Sequence, residues 1–412
     1  MQPSDSVFLD EYGPLPIVQP TTVAEASDLV RRAAQDGTAV YPFGGRTMLN
    51  VGLPPTKTGI AVDMTYLNQV LEFPARDMTI TVQAGITLAR LREITAAENL
   101  HLPVDMPQAD RATLGGAIAT NMSGPRRYAF GTLRDYVIGI SVINDEAQET
   151  KAGGRVVKNV AGYDLCKLHV GALGTLGIIS QVTLKLKPLP EEDGFVLFGC
   201  DASQLDSVLD RVHRSRTRPV CVDVLNTKAA RAAGVELPDA PWVVVVGFEH
   251  NRDAVAWQLK TLAEELAGES VRDVMVCSKP ATVPVWEMLV ELTLRPESAL
   301  IFKANILPHT AASFCREVSE DCLLHAHAGS GIVLGHLEQD ATMAQATALM
   351  KRVRRAAASA SGNVVLLRCP TAWKKDMPVW GNPRADAWLM KAVKDKLDPR
   401  GLFNPGRFVA GI

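Results

Sequence analysis

Three glycine-rich runs carry the residues best suited to chemistry in this chain. Phe43-Gly44-Gly45-Arg46-Thr47 comes first, Thr113-Leu114-Gly115-Gly116 with Ser123-Gly124-Pro125-Arg126-Arg127 second, and Gly171-Ala172-Leu173-Gly174-Thr175-Leu176-Gly177 third. Glycine leaves the backbone uncovered, so its amides reach a phosphate at hydrogen-bonding distance. Arg46 adds positive charge and Thr47 a hydroxyl donor. The third run has Gly-x-x-Gly-x-x-Gly spacing and leads into Ile178 to Leu186, which reads as a strand. A dinucleotide fingerprint is spaced differently and opens a helix, and a P-loop needs Gly-Lys-Ser/Thr. The runs therefore describe neither. Taken singly, each also fits a tight turn or close helix–strand packing.

A second set of candidates lies later. His325-Ala326-His327-Ala328-Gly329-Ser330-Gly331-Ile332 puts two imidazoles two residues apart, hence on one face of a strand. They suit a metal ion or a base that removes a proton. The plainer reading, satisfied histidines at a strand end, is the one favoured here, and no metal is expected. Lys374, in Arg368-Cys369-Pro370-Thr371-Ala372-Trp373-Lys374-Lys375, suits a carboxylate or a developing negative charge on a cofactor, although a solvated cation is the simpler account.

The bulk properties narrow the classes. The chain has 412 residues, enough for two or three domains, with 47% hydrophobic and 21% charged residues. Its net charge is −2 and no dense basic cluster appears, which argues against nucleic acid as a partner. The start, Met1-Gln2-Pro3-Ser4-Asp5, shows no secretion signal, and no apolar run approaches the ~20 residues that span a bilayer. The seven cysteines include no CxxC pair, so a self-contained iron–sulfur cluster, a zinc site and a disulfide framework are not expected, and a reducing cytoplasm fits.

Elements that position these residues are legible. Thr22-Val23-Ala24-Glu25 reads as a capping box, with a helix to Gly37 and a short strand from Thr38 to Pro42. Met78 to Gln83 alternates as a strand, Thr87 caps a helix bearing Leu88, Leu91 and Ile94, and Leu114 to Asn121 starts as a small-residue helix. Pro188-Leu189-Pro190 breaks the pattern, and a domain boundary is expected there. Beyond it, strands at 195–199, 220–225, 242–248, 300–306, 331–337 and 364–368 alternate with helices at 202–215, 253–266, from Thr310 and 341–358, an α+β arrangement. A final helix spans Asp386 to Lys396.

Together, the order and spacing of the glycine runs resemble the FAD-binding domain of the vanillyl-alcohol-oxidase family, also called the p-cresol methylhydroxylase type. The likeness covers residues 14 to 190 and returns at Asp398-Pro399-Arg400-Gly401-Leu402-Phe403-Asn404-Pro405-Gly406-Arg407. Within the family, Lys158-Asn159-Val160-Ala161-Gly162-Tyr163-Asp164-Leu165 and Ala117 to Arg127 look closest to the FAD-binding subunits of bacterial glycolate oxidases.

The resemblance implies an α+β fold: a two-part FAD-binding domain over 1–190, a cap domain with a helix-covered sheet over 191–375, and a segment, 376–412, returning to the first. It implies that Phe43, Gly44, Gly45, Arg46 and Thr47 wrap the FAD diphosphate. Pro107, Thr113, Gly115, Gly116, Thr120, Ser123 and Gly124 would line the diphosphate and ribityl region, and Gly174, Gly177 and Ile179 the adenine or ribose side. Covalent-flavin members carry a histidine where this chain has Arg46-Thr47-Met48, so FAD is expected to be noncovalent. Related dehydrogenases carry His-Ala-Gly-Asp-Gly-Asn where Ser330 and Ile332 stand here, which removes an acid and an amide.

The implied activity is oxidation of a small 2-hydroxy acid, glycolate to glyoxylate. The expected partners are a catalytic flavoprotein sister subunit and an iron–sulfur subunit, in a cytoplasmic assembly that meets the inner membrane only through those partners. A free-standing FAD-dependent 2-hydroxy-acid dehydrogenase and a structural subunit with a non-catalytic flavin fold remain alternatives.

Overall fold

In the computed structural model, which describes residues 6–154, 163–268, 271–382 and 385–412, Thr22 opens the first helix as its sequence predicts. Its hydroxyl accepts the Glu25 amide at 3.1 Å, and the helix Val23–Asp36 buries Ala26, Leu29, Val30 and Ala33. The reciprocal half of the capping box is displaced by one residue, because the Glu25 carboxylate takes the amide and hydroxyl of Thr21. Gly37 ends the helix at φ 64°, a left-handed turn that glycine adopts without penalty. The run Lys158 to Gly162 lies outside the described residues.

The chain folds into two compact units. The first comprises Met1–Met122, Thr132–Leu189 and Asn382–Ile412. Its strands β1 (Ser6–Leu9), β2 (Tyr12–Val18), β3 (Ala39–Phe43) and β4 (Gly59–Asp63) form a sheet of order β1-β2-β4-β3, in which β4 runs parallel to both β2 and β3. Strands β5 (Val70–Glu72), β6 (Thr79–Gln83), β8 (Val137–Ile143), β9 (Glu149–Gly153) and β10 (Ile178–Lys185) form an antiparallel sheet of order β5-β6-β10-β8-β9, and β7 (Leu100–His101) pairs with β11 (Lys187–Pro188).

On β6, Ile80 and Val82 are fully buried, while the Thr81 and Thr183 hydroxyls meet at 2.9 Å across the ladder to β10. Strand β10 follows the Gly-x-x-Gly-x-x-Gly run directly, so that run turns into a strand as expected. Strand β8 is hard to read from sequence because it is apolar without alternation. It sits between β10 and β9, where nearly every residue is buried.

The C-terminal stretch returns to the first unit. The Val40 amide donates to Leu402 O and the Asn404 amide to Val40 O, extending the β3 edge. Lys394 is buried, and its ammonium joins Asp398, Thr175 O and Phe403 O. The other oxygen of the Asp398 carboxylate caps the Leu402 amide.

The second unit comprises Ser123–Gly131 and Pro190–Gly381. Its strands are β12 (Glu192–Cys200), β13 (Cys221–Asn226), β14 (Trp242–His250), β15 (Arg272–Ser278), β16 (Leu300–Asn305), β17 (Leu323–His327), β18 (Ile332–Leu337) and β19 (Asn363–Arg368). They form one antiparallel sheet of order β15-β12-β14-β13-β17-β18-β16-β19. Strand β14 reads as a continuous apolar run because both faces are covered. Val243 and Val245 pack with Val285, Trp286 and Leu289 of the helix Thr282–Glu291. The opposite face meets the helix Arg252–Leu266, whose Leu259 would lie 2.7 Å from a Cβ at Gly194. Residues 123–131, which adjoin the second glycine run in sequence and were expected in the FAD-binding domain, belong to this second unit.

Candidate functional site

Strand β3 ends at Phe43, and the chain turns at once into Gly44-Gly45-Arg46-Thr47, with Arg46 at φ 58°. This turn rims a cleft with about 720 Å³ of open space in the first unit. Thr113, Gly116 and Thr120 form a second wall, and Leu173, Asn404 and Arg407 a third. An adjoining part, about 430 Å³, shares Phe43, Gly44, Thr113 and Gly116 and adds Gly115, Gly174, Gly177 and Ile179. The structure thus gathers twelve of the fifteen expected cofactor residues in one cleft: Phe43, Gly44, Gly45, Arg46, Thr47, Thr113, Gly115, Gly116, Thr120, Gly174, Gly177 and Ile179. Pro107 is buried off the wall, where its neighbour Met106 stands instead. Ser123 and Gly124 fall in the second unit.

The glycines are there for different reasons. A Cβ at Gly44 would lie 2.0 Å from Thr113 Oγ1, and one at Gly45 1.7 Å from Arg111 O. These two let the first loop press against the second. Gly174 sits at φ 64° and Gly177 at φ 140°, conformations that side chains resist. Gly116 has only Thr113 Oγ1 at 3.2 Å before it, and lines both parts of the cleft. Beyond that hydroxyl no protein atom lies within 4 Å of the Cβ position, and a larger side chain there would enter the cleft.

The hydrogen bonds correct one expectation. The Gly115 amide donates to Ala84 O at 2.7 Å and the Gly116 amide to Thr113 Oγ1 at 3.3 Å, so neither is free for a ligand. Amides of residues 44–47 have no bonded acceptor among the described residues. Arg407, which sequence places only in the closing segment, is buried with Nη2 on Leu49 O and Val51 O, while its Nη1 has no partner. Burial pulls its pKa down, which a bound anion would oppose. Four open amides, the Arg46 cation and an orphaned Arg407 donor fit the diphosphate of FAD, and the glycine floor at 116 fits a cofactor lying against the backbone.

The second unit holds a different constellation. In the register, Asp223 on β13 faces His327 on β17, His325 faces Leu334 on β18, and Leu334 faces Lys303 on β16. Period-two alternation therefore puts Asp223, His325, His327, His336 and Lys303 on one face. His325 Nε2 lies 2.9 Å and His327 Nδ1 3.0 Å from Asp223 Oδ2. All three residues are at most 1% exposed. Burial pushes the Asp223 carboxyl up, but His327 and His325 outweigh it and hold it at about 2. Burial lowers His325, and lowers His336 to about 3.

Lys303 is the residue that sequence reasoning missed. Burial brings its ammonium down to about 8, with Arg127 adding like-charge repulsion, and among the described residues no acid pairs with it. Its signal was present in Leu300-Ile301-Phe302-Lys303-Ala304, one charge inside an apolar strand. Lys374 is buried in a short 3-10 turn, Thr371–Lys375, and already engaged within the protein, so it is not the solvated cation of the simpler account.

The segment 123–131 is fastened to the same unit. Arg126 lies 3.6 Å over the Trp286 ring and bonds Glu249 at 2.7 Å, while Trp286 Nε1 donates to Asp193 at 3.1 Å. Tyr128 packs against Gly329, where a Cβ would lie 2.6 Å from its ring.

Comparison with known proteins agrees with this geometry. Residues 14–153 match the FAD binding domain, and residues 200–365 and 380–408 match the C-terminal domain of FAD linked oxidases. The chain is 26% identical to a D-2-hydroxyglutarate dehydrogenase of Stutzerimonas stutzeri, over 99% of this chain and 96% of that one. It is 32% identical to glycolate oxidase subunit GlcE of Escherichia coli, over 39% of this chain and 46% of that one. A solved alkyldihydroxyacetonephosphate synthase shares the fold, with a TM-score of 0.69 at 16% identity over 94% of this chain and 75% of that one. The fold is therefore the p-cresol methylhydroxylase-type FAD-binding domain with an α+β cap, and the cofactor is FAD.

Proposed function

For a chain that carries both domains of the FAD-linked oxidases, and is thus an FAD-dependent oxidoreductase of the 2-hydroxy-acid dehydrogenase group, we propose oxidation of a small 2-hydroxy acid whose carboxylate pairs with Lys303. The observation that carries this reading is Lys303, a half-buried cation inside an otherwise buried apolar stretch of β16, its pKa brought down to about 8 by burial and with no acid partner among the described residues. A charge-assisted hydrogen bond to a carboxylate relieves that state and contributes about 1.5–3 kcal/mol. FAD, when bound, accepts the hydride equivalent that leaves the α-carbon.

This chain's residues bind and orient. The open amides of 44–47 and Arg407 hold the diphosphate, and the loop has no histidine through which a covalent flavin link could form, so FAD is held noncovalently. His325 and His327 are bound to Asp223, and Lys374 is engaged in its turn. We assign none of the three the removal of the hydroxyl proton.

Two settings for this chemistry have support. In the first, the chain is a subunit of a glycolate oxidase assembly and passes electrons to an iron–sulfur partner. The likeness to the glycolate oxidase subunit and the seven scattered cysteines, none in a disulfide, favour it. In the second, it is a free-standing dehydrogenase, favoured by its end-to-end match to the D-2-hydroxyglutarate dehydrogenase.

Assaying the purified chain with glycolate, D-lactate and D-2-hydroxyglutarate and a dye acceptor separates them. Sustained turnover by the chain alone supports the second. Turnover that appears only on adding partner subunits supports the first. A protein that stays colourless near 450 nm with excess FAD defeats both.

A further inference from the structure

The two edges of the large sheet in the second unit are finished differently. At β19 the edge is covered: the Leu366 amide donates to Val379 O at 2.8 Å, and Asn363 Nδ2 donates to Trp380 O at 3.3 Å. At β15 it is bare. Among the described residues β15 pairs with β12 alone, so a row of backbone donors and acceptors faces outward along it. Edges of this kind are commonly blunted by a lysine or a proline within the strand. Arg272-Asp273-Val274-Met275-Val276-Cys277-Ser278 contains neither. Its one irregularity lies at the start, where Asp273 sits at φ 47° and the register shifts, while 275–278 stay in unbroken register with β12.

The side chains on this edge are as uncovered as its backbone. Val276 is opposite Val196 in the ladder, which puts it on the face that carries Gly194 and the helix Arg252–Leu266. Burial fades along that face toward the edge. Val196 is fully buried, whereas Val276 is 51% and Val274 43% exposed. Two β-branched apolar residues at period two beside unpaired backbone form a surface suited to one more strand.

We propose that this edge pairs with the same edge of a second copy of the chain, antiparallel about a two-fold axis at Met275, so that two eight-stranded sheets run on as one. The strand's own pattern selects that occupant. Centring on Met275 sets Val274 of each copy opposite Val276 of the other, so all four bare valines meet valine. A centre at Val276 would set Val274 against Ser278, and a centre at Val274 would set Val276 against Arg272. Charge agrees. With Met275 at the centre, Arg272 faces Ser278 and Asp273 faces Cys277, no like charges are opposed, and Asp273 lies diagonal to Lys279 of the second copy at both ends of the pairing. The contact uses no residue of the FAD cleft and does not involve Lys303, so it rests on nothing assumed about substrate.

The test uses the full chain, loaded with FAD and free of tags. Light scattering after size exclusion should give twice the mass of one chain. Hydrogen exchange should show amides of 274–278 gaining protection as protein concentration rises. Two double variants then read the register. Val274→Lys with Val276→Lys sets lysine against lysine at both valine pairs, and should raise the dimer dissociation constant at least about tenfold. Val274→Lys with Val276→Glu alters the same exposed positions but sets lysine against glutamate, and should dimerise at least about tenfold more tightly than the first variant. Circular dichroism checks that both fold.

A wild-type protein that stays monomeric at every concentration overturns the proposal, even if another protein is found on that edge. A dimer unweakened in the lysine–lysine variant overturns it by placing the contact elsewhere, and equal weakening in both variants overturns the Met275 register. If the variants fail to fold, the wild-type mass and exchange profile decide, and a dimer whose 274–278 amides stay unprotected counts against the edge.

Discussion

The cleft of the first unit and the polar sheet face of the second, where we propose that the substrate carboxylate meets Lys303, are built for recognition by opposite means. The cleft is walled by loops, and its contribution is mostly main chain: open amides at 44–47 and glycine at 116. The sheet face is made of side chains on paired strands, with Lys303, Asp223 and the histidines fixed by register. A cofactor common to many enzymes needs only a bare backbone and charge. A small substrate needs a few side chains held to within a fraction of an ångström. Damage to the first should therefore act through cofactor content, and damage to the second through substrate affinity with the flavin retained.

The sharpest test of that contrast is a pair of substitutions in the cleft. Gly45→Val drives a branched side chain into Arg111 O, 1.7 Å from the Cβ position, and should cost several kcal/mol of stability, on the order of other overpacked sites. Calorimetry should show a much lower melting temperature along with loss of yellow colour. Gly116→Val meets only Thr113 Oγ1, at 3.2 Å, so it should strip FAD at a much smaller cost in melting temperature than Gly45→Val. Equal destabilisation by both would erase the distinction drawn between those glycines.

On the other side, Lys303→Met should raise KM for the 2-hydroxy acid by roughly 10–100-fold, the equivalent of one charge-assisted bond. The absorbance near 450 nm should not change. Loss of flavin in that variant would merge the two regions functionally and break the comparison.

A gentler probe is pH. A lysine brought down to about 8 is cationic below that value and neutral above it, so KM should climb as pH rises through about 8. The profile should flatten in the Lys303→Met protein. A KM unchanged between pH 7 and 9 would remove Lys303 from the binding role.

The smallest effect is expected at Arg126→Lys, which keeps the charge but loses the planar group stacked on Trp286. We expect about 1–2 kcal/mol less stability, read as a drop of a few degrees in melting temperature.

What can be read from sequence follows the same divide. Local rules work where neighbours in sequence decide the outcome. Thr22 and Gly37 bracket a helix, Thr87 and Thr113 cap theirs, and the Gly-x-x-Gly-x-x-Gly run enters a strand. Twelve glycine-loop residues can be placed in one cleft because small residues in turns keep a recognisable spacing.

The misses are long-range. Asp223 meets its histidines across more than a hundred residues of chain, and nothing near it in sequence signals a partner. Arg407 becomes a cleft residue only because Asn404 pairs with Val40. Strand β15 is hidden because it is an edge, with Val274 and Val276 exposed and no clean alternation against a core. Ser123 and Gly124 follow the second glycine loop closely in sequence, but Arg126 binds Glu249 and Trp286 and holds that segment to the second unit.

The return of Asn404 and Arg407 to the wall begun by Gly44 has a bearing on biosynthesis. The first glycine turn leaves the ribosome long before the arginine that completes its pocket has been translated. With Arg407 holding the diphosphate as proposed, FAD capture waits until synthesis has passed that arginine, and a nascent chain stalled before residue 407 is expected to be colourless however well its early strands had formed. On that assignment, flavin colour would report that translation has run through both ends of the pocket.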